Sequence, residues 1–231
     1  MPRPIKKKAA KKNIQTETEI KDALGNIKDT LKKKQKTVLV YSLIGLCAVL
    51  VFAVILFYQH TEGQKSHQLE NSAYNTYYNL DQQKYMSKQE QYQKALDLFQ
   101  QAYSKRKSPR VLLFIASSYV ELGKYDDALK TLTDFTKKYA NARSLLPLAY
   151  KEMAAVQLIK GDKEAALKTL DTLYKSGTIL QDYALVEAGR ILEKDGKKEE
   201  AAAKYKELTE KFPGSPFLEE AKTKLSERKE G

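Results

Sequence analysis

A chain of 231 residues with 42% hydrophobic and 30% charged side chains has room for one substantial folded domain plus accessory segments. Its net charge of +12 is uneven: residues 1–36 hold 12 basic and 4 acidic side chains, residues 37–58 hold none, and residues 59–231 hold 29 and 25. The near-neutral remainder excludes the basic surface of a nucleic-acid-binding domain, and a single cysteine, Cys47, excludes a disulfide framework or a CxxC pair.

The arm opens with MPRPIKKKAAKKN, a basic stretch of low complexity expected to be disordered over residues 1–13. Thr16-x-x-Glu19 then forms a capping box. Behind it Ile20, Leu24, Ile27 and Leu31 make one stripe of a helix. A basic helix with such a stripe suits an anionic lipid surface or a membrane partner. The plainer reading, preferred here, is a topology signal whose helix continues into the apolar run beyond Lys36, and Gly25-Asn26 argues against a long stiff rod.

Residues 37–58 read TVLVYSLIGLCAVLVFAVILFY, 22 residues without a charge, Pro, Asn or Gln. As a helix this run is roughly 33 Å long, against a bilayer core of about 30 Å. Tyr41, Phe57 and Tyr58 stand near its ends, where aromatic rings favour the interface. A cleaved signal has a shorter apolar core and a small-x-small site; the sequence after the run, Gln59-His60-Thr61-Glu62, has none. The run therefore reads as an uncleaved transmembrane helix. Lys32, Lys33, Lys34 and Lys36 abut one end, and only Lys65 lies within ten residues of the other. The excess of lysine keeps that flank in the cytoplasm. In a bacterium this means the inner membrane, with the C-terminal domain in the periplasm. Residues 59–68 are expected to be a juxtamembrane linker, and residues 69–231 a folded domain.

From residue 69 the periodicity is helical, and it repeats. One hairpin has Leu112, Ile115, Ala116, Tyr119, Gly123, Tyr125, Ala128, Leu132 and Phe135 in register. A second has Tyr150, Met153 and Ala154, then Gly161, Ala166, Leu170 and Leu173; a third has Leu185, Ala188, Gly189 and Leu192, then Gly196, Ala201, Tyr205 and Leu208, ending at Pro213. A looser copy, without the turn glycine, carries Ala73 and Tyr77, then Tyr92, Ala95, Phe99 and Ala102 after a polar loop at 83–89. The alanines Ala95, Ala128, Ala166 and Ala201 are 33, 38 and 35 residues apart.

Packing explains the pattern. Ala116, Ala154 and Gly189 let the second helix of each pair approach the first, and Ala128, Ala166 and Ala201 receive the next pair. Gly123, Gly161 and Gly196 end first helices in the left-handed conformation. Each pair leaves an apolar face bare, so pairs must stack. Ser87-x-x-Glu90 and Ser108-Pro109 mark helix starts, and Ser215-Pro216 opens a last helix of roughly 216–228 that caps the stack. The fold class expected is all-α: one transmembrane helix, then a solenoid of three to four helix pairs with a capping helix.

This pattern resembles the tetratricopeptide repeat family over about residues 69–228, most closely at Gly123-x-Tyr125-x-x-Ala128 and Phe212-Pro213. It lacks the family's Trp at the start of each unit. The layout of arm, span and small repeat domain, with the stretch Ala166-Leu-Lys-Thr-Leu-Asp-Thr172, is similar to the bacterial ancillary translocon subunits. That resemblance implies protein partners: the protein-conducting channel, periplasmic chaperones and emerging chains. Two other classes share the fold, an envelope scaffold for cell division or pilus assembly and an organelle-membrane receptor; the basic arm disfavours the latter.

Solenoids bind along the face made by the first helix of each pair. Helical phase places there Arg110, Leu113, Phe114 and Ser117, then Leu148, Lys151, Ala155 and Leu158, then Tyr183, Val186, Glu187 and Arg190. Chaperone-tail receptors of the tetratricopeptide family hold a carboxylate with a Lys/Asn/Arg clamp. Leu113 and Ser117 stand where that clamp wants Lys and Asn, so none is expected. Tyr74, Tyr77, Tyr78, Tyr85 and Tyr92 crowd the first repeat, as packing or as a docking surface. No catalytic constellation, glycine-rich phosphate loop or cofactor motif is present. His60 and His67, with Glu62 and Glu70, read as a solvated segment rather than a metal site. The lipid bilayer and other proteins are the expected partners, nucleic acid is not, and no enzymatic activity is expected.

Overall fold

The computed structural model describes residues 10–80, 86–177 and 179–230. Among the described residues there are ten helices and no strand, and the chain divides into two units, Met1–His60 and Thr61–Gly231.

The first unit holds α1 (Ala10–Lys33), a one-residue turn at Lys34, and the start of α2 (Gln35–Tyr77). Residues 1–9 lie outside the described residues, but residues 10–13, expected to be disordered, are helical. Thr16 therefore sits inside α1 rather than at its cap; the side chains of Thr16, Glu19 and Leu31 lie outside the described residues. The reason is cooperative. Ala10, Lys11, Lys12 and Gln15 are strong helix formers, and a helix already nucleated extends over them. Ile20, Leu24 and Ile27 are 55%, 60% and 55% exposed. Along α2 every residue from 39 to 58 is exposed, and the helix is long and apolar enough, by length and composition, to cross a membrane.

The second unit is a stack of antiparallel pairs. Residues 61–77 of α2 pair with α3 (Lys88–Lys105) through Ser66, Glu62 and Tyr77; α4 (Pro109–Glu121) pairs with α5 (Tyr125–Lys138), α6 (Leu146–Ile159) with α7 (Lys163–Lys175), and α8 (Gln181–Lys194) with α9 (Lys198–Lys211). The last helix, α10 (Leu218–Glu230), packs on α9. There are thus four pairs and a cap, and the cap starts two residues later than Ser215-Pro216 predicts. The stretch 59–68, expected as a linker, is helical. Its hold on α3 explains why: Ser66 is buried and donates to the Ala102 carbonyl at 3.0 Å, and Glu62 pairs with Lys105 at 2.7 Å. Residues 83–85 of the loop, Tyr85 among them, lie outside the described residues, and residues 88–89 already belong to α3; Ser87 closes the loop as a capping box, its hydroxyl accepting from the Glu90 N–H and its own N–H donating to the Glu90 carboxylate.

Gly123, Gly161 and Gly196 have φ of 70°, 81° and 77°. Each is followed by the same bond across the turn: Lys124 N–H to the Tyr119 carbonyl at 2.8 Å, Asp162 to Gln157 at 2.9 Å, and Lys197 to Leu192 at 2.9 Å. This is the Schellman closure. A Cβ at Gly161 would meet nothing within 4 Å, so Gly161→Ala is expected to cost only the left-handed strain, roughly 1–2 kcal/mol. A urea titration of the variant checks it.

Ala116, Ala128, Ala154, Ala166 and Ala201 are buried where the helices approach most closely, and Tyr119 and Tyr125 are half-buried beside them. Pro213 is exposed in the turn after α9. Phe99, Leu132, Phe135, Leu170, Leu173, Tyr205 and Leu208 fill the spaces between pairs. Contact between α4 and α6 brings first helices together along one side of the stack.

Candidate functional site

The inner face of the second unit is built from α2, α4, α6 and α8, closed by α10. Shifting by the repeat offsets of 38 and 35 residues superposes three stripes: Arg110, Phe114, Ser117 and Glu121; Leu148, Glu152, Ala155 and Ile159; Tyr183, Glu187, Arg190 and Lys194. Most of the expected residues fall on these stripes, but two do not belong to a surface. Leu113 is 9% exposed and Val186 0%, both inside the hydrophobic core. Each first helix packs against its own partner and the following pair, which rotates this position inward. The equivalent Lys151 is exposed, and Leu158 is half-buried against Ala154 and its neighbours.

The stripes are cross-linked from helix to helix. Arg110 grips the buried Glu70 of α2 at 2.7 Å through Nε and Nη2. It is therefore not a free cation for a partner's carboxylate. Phe114 stacks on Phe99 with ring centres 5.0 Å apart and meets Tyr74 and Tyr77 edge-on at 5.6 and 5.7 Å. Ser117 is bonded to Glu152, and Tyr92 to Glu121. The Lys151 ammonium lies 4.9 Å from the Tyr183 ring centre. Arg190 binds Glu220 of α10 at 2.7 Å through Nε, pairs with Glu187 in its own helix, and rests 5.7 Å from the Phe217 ring. Salt bridges and rings thus link one first helix to the next, through arginines that stay partly exposed.

His67 lies 3.0 Å from the Arg106 guanidinium, and Glu62 is held by Lys105 and Lys65. Among the described residues no group of three or more His, Cys, Asp or Glu side chains is placed to hold a metal ion.

What stays exposed on this face mixes apolar and aromatic groups with the charges of Glu121, Lys151 and Lys194. Tyr74, Tyr78, Leu148 and Ile159 are 43%, 50%, 41% and 55% exposed, with Lys151 and Ala155 between them. Glu121, Glu152 and Ile159 are missed when helical phase is counted from Arg110 over too few turns; carrying Phe114, Ser117 and the next turn through the repeat offsets finds all three.

Burial pushes the Glu152 carboxyl from an ordinary 4.5 up to about 7, with the Glu121 charge adding to the rise and the Ser117 hydroxyl opposing it. Burial also raises Tyr77, helped by the same two carboxylates. The folded chain therefore holds a proton on Glu152 that the unfolded chain releases. Stability from this group is present below about pH 4.5 and declines as pH rises to about 7. Glu152→Gln is expected to remove that decline and to stabilise the fold at pH 8 by on the order of 1–3 kcal/mol. Urea midpoints at pH 5 and pH 8 check it; equal slopes with pH in both proteins contradict it.

The profile of the tetratricopeptide repeat-like domain matches residues 28–227. The chain belongs to this family. A crystal structure of MamA protein matches at 16% identity and a TM-score of 0.50, over 71% of this chain and 86% of that one. A second MamA crystal structure gives 18% and 0.46 over 61% and 82%. A thermophilic tetratricopeptide repeat protein of Thermus thermophilus gives 16% and 0.32 over 72% and 98%. At these identities the first likeness supports the repeat fold alone. No curated protein matches. This tetratricopeptide repeat-like fold is typically a non-enzymatic scaffold whose domains bind proteins.

Proposed function

We propose that this tetratricopeptide repeat-like protein is a membrane-anchored docking scaffold. One observation carries the reading: a single chain joins a helix whose residues 39–58 are all exposed and nearly all apolar to a four-pair repeat domain. Residues 37–58 span the bilayer, and the lysine-rich flank keeps residues 1–36 in the cytoplasm. The repeats lie on the opposite side, in the periplasm of a bacterium. Partners dock on the exposed strip of Tyr74, Tyr78, Leu148, Lys151, Ala155 and Ile159, framed by the Arg110, Phe114, Ser117, Tyr183, Glu187 and Arg190 cross-links. Such a strip suits an apolar or aromatic segment of another protein, since aromatic rings dominate interface cores. The likeness in layout to ancillary translocon subunits supports a place beside the protein-conducting channel, recruiting chaperones to emerging chains.

Protease added to cells stripped of their outer membrane tests the topology: digestion of the repeats from outside supports it, and protection until lysis refutes it. A photocrosslinker at Leu148 tests the partner. Adducts with channel subunits or periplasmic chaperones are expected, and adducts confined to septal or pilus proteins would replace the translocon by another scaffold.

A further inference from the structure

Helix α1 carries a feature that anchoring alone leaves unused. At about 100° per residue, Ile20, Leu24 and Ile27 share an arc of about 60°, and all three are more than half exposed. Lys21, Lys28 and Lys32 fall together on the arc beside Leu24, while Asp22 and Asp29 fall on the opposite side. The helix ends at Lys33, a turn occupies Lys34, and α2 starts at Gln35. If α1 ran on straight from the span, its stripe would stand roughly 15–25 Å out in the water, with nothing to do there. Laid over at the Lys34 turn, the same stripe reaches the headgroup boundary. Its lysines then sit at phosphate level, and its two aspartates point into the water.

We propose that α1 lies flat on the anionic phospholipid surface from which the span emerges, apolar stripe inward. The inference rests on the reading that residues 37–58 span the bilayer. That span holds α1 within reach of the surface, so binding is intramolecular and a short stripe suffices. The lysine flank selects anionic over zwitterionic lipid, because each lysine near such a surface contributes a further multiple of binding. Asp22 and Asp29 on the far face, against one cation, Lys33, beside them, oppose the inverted orientation.

The test uses the full chain carrying Cys47→Ala and spin labels at Ile20→Cys, Asp22→Cys, Leu24→Cys, Ile27→Cys, Asp29→Cys or Leu50→Cys. It is reconstituted in vesicles of two parts phosphatidylcholine to one part phosphatidylglycerol, and in phosphatidylcholine alone. Accessibility to oxygen over an aqueous relaxant is expected to oscillate in the anionic vesicles, high at 20, 24 and 27 and low at 22 and 29. Replacing Lys21, Lys28 and Lys32 together by Gln is expected to lower the docking equilibrium constant by roughly a hundredfold and flatten the profile, as does omitting phosphatidylglycerol. A flat aqueous profile over 20–29 with position 50 in lipid overturns the docking while leaving the span. Water at position 50 overturns the span, and the docking with it. Strong coupling between labels at position 24 of two chains makes the stripe a dimer seam and also overturns the proposal.

Discussion

Phe99→Ala is expected to destabilise the repeat domain by about 3–5 kcal/mol. Phe99 is fully buried in α3, its ring lying nearly parallel to that of Phe114, 9° apart, with Tyr77 edge-on at 6.3 Å. Truncation opens a cavity where α2, α3 and α4 meet and removes two ring pairs worth about 0.5–1.5 kcal/mol each beyond their area. Three helices share the contact, so none can close the gap alone. Each pair in a solenoid contacts only its neighbours, so the damage stays local: hydrogen exchange should rise in α2, α3 and α4 and stay unchanged in α8, α9 and α10. Tyr78→Ala is the contrasting change. Half of that side chain is already exposed, but its ring meets Tyr74, Tyr77 and Phe114, so stability should fall by about 1–2 kcal/mol, well short of Phe99→Ala, while crosslinking to a partner falls. If Tyr78→Ala destabilises as much as Phe99→Ala, the exposed tyrosines are core and not a docking strip.

Gly189→Ala is expected to destabilise the domain by overpacking, not by backbone strain. A Cβ there would lie 2.6 Å from Tyr205 Cε1 and 2.8 Å from Cζ. Tyr205 is 1% exposed, and its hydroxyl donates to Glu193 at 3.2 Å, so the ring has no room to withdraw. Overpacking costs about 1–3 kcal/mol, against about 1 kcal/mol gained in helix propensity when glycine becomes alanine; the net loss is up to about 2 kcal/mol. Tyr205→Leu clears the space at its own cost. Combined with Gly189→Ala, it should show a favourable coupling of about 1–2 kcal/mol in a double-mutant cycle. Additive losses would place the strain elsewhere.

Both predictions begin from residues whose roles differ in how far they can be read without coordinates. Gly189 stands at the position of Ala116 and Ala154, and repeat spacing alone marks it as a close approach; that Tyr205 is what approaches is a fact of packing. Capping at Ser87 and Ser108 and the left-handed Gly123, Gly161 and Gly196 are local chemistry. Their partners lie within five residues, so the chain spells them out. The apolar run at 37–58 is likewise a matter of length and transfer energy.

Rotation of each first helix is another matter. Leu113 and Val186 share a register with Lys151, yet the first two are buried and the third is exposed. Three neighbours compete for the surface of each first helix, and their balance depends on side chains 30 to 40 residues away. Glu152 shows the consequence. In sequence it is one acid among many, and only the stacking of α4 on α6 buries it against Ser117 and shifts its titration. Thr16-x-x-Glu19 erred in the opposite direction, because a cap preference of about 1 kcal/mol yields when good helix formers lie upstream. Helix identity, turn chemistry and repeat period were therefore legible residue by residue. Which side chains face a partner, and which are consumed in holding the helices apart, was decided by contacts between repeats, where burial and charge pairing outweigh any local preference.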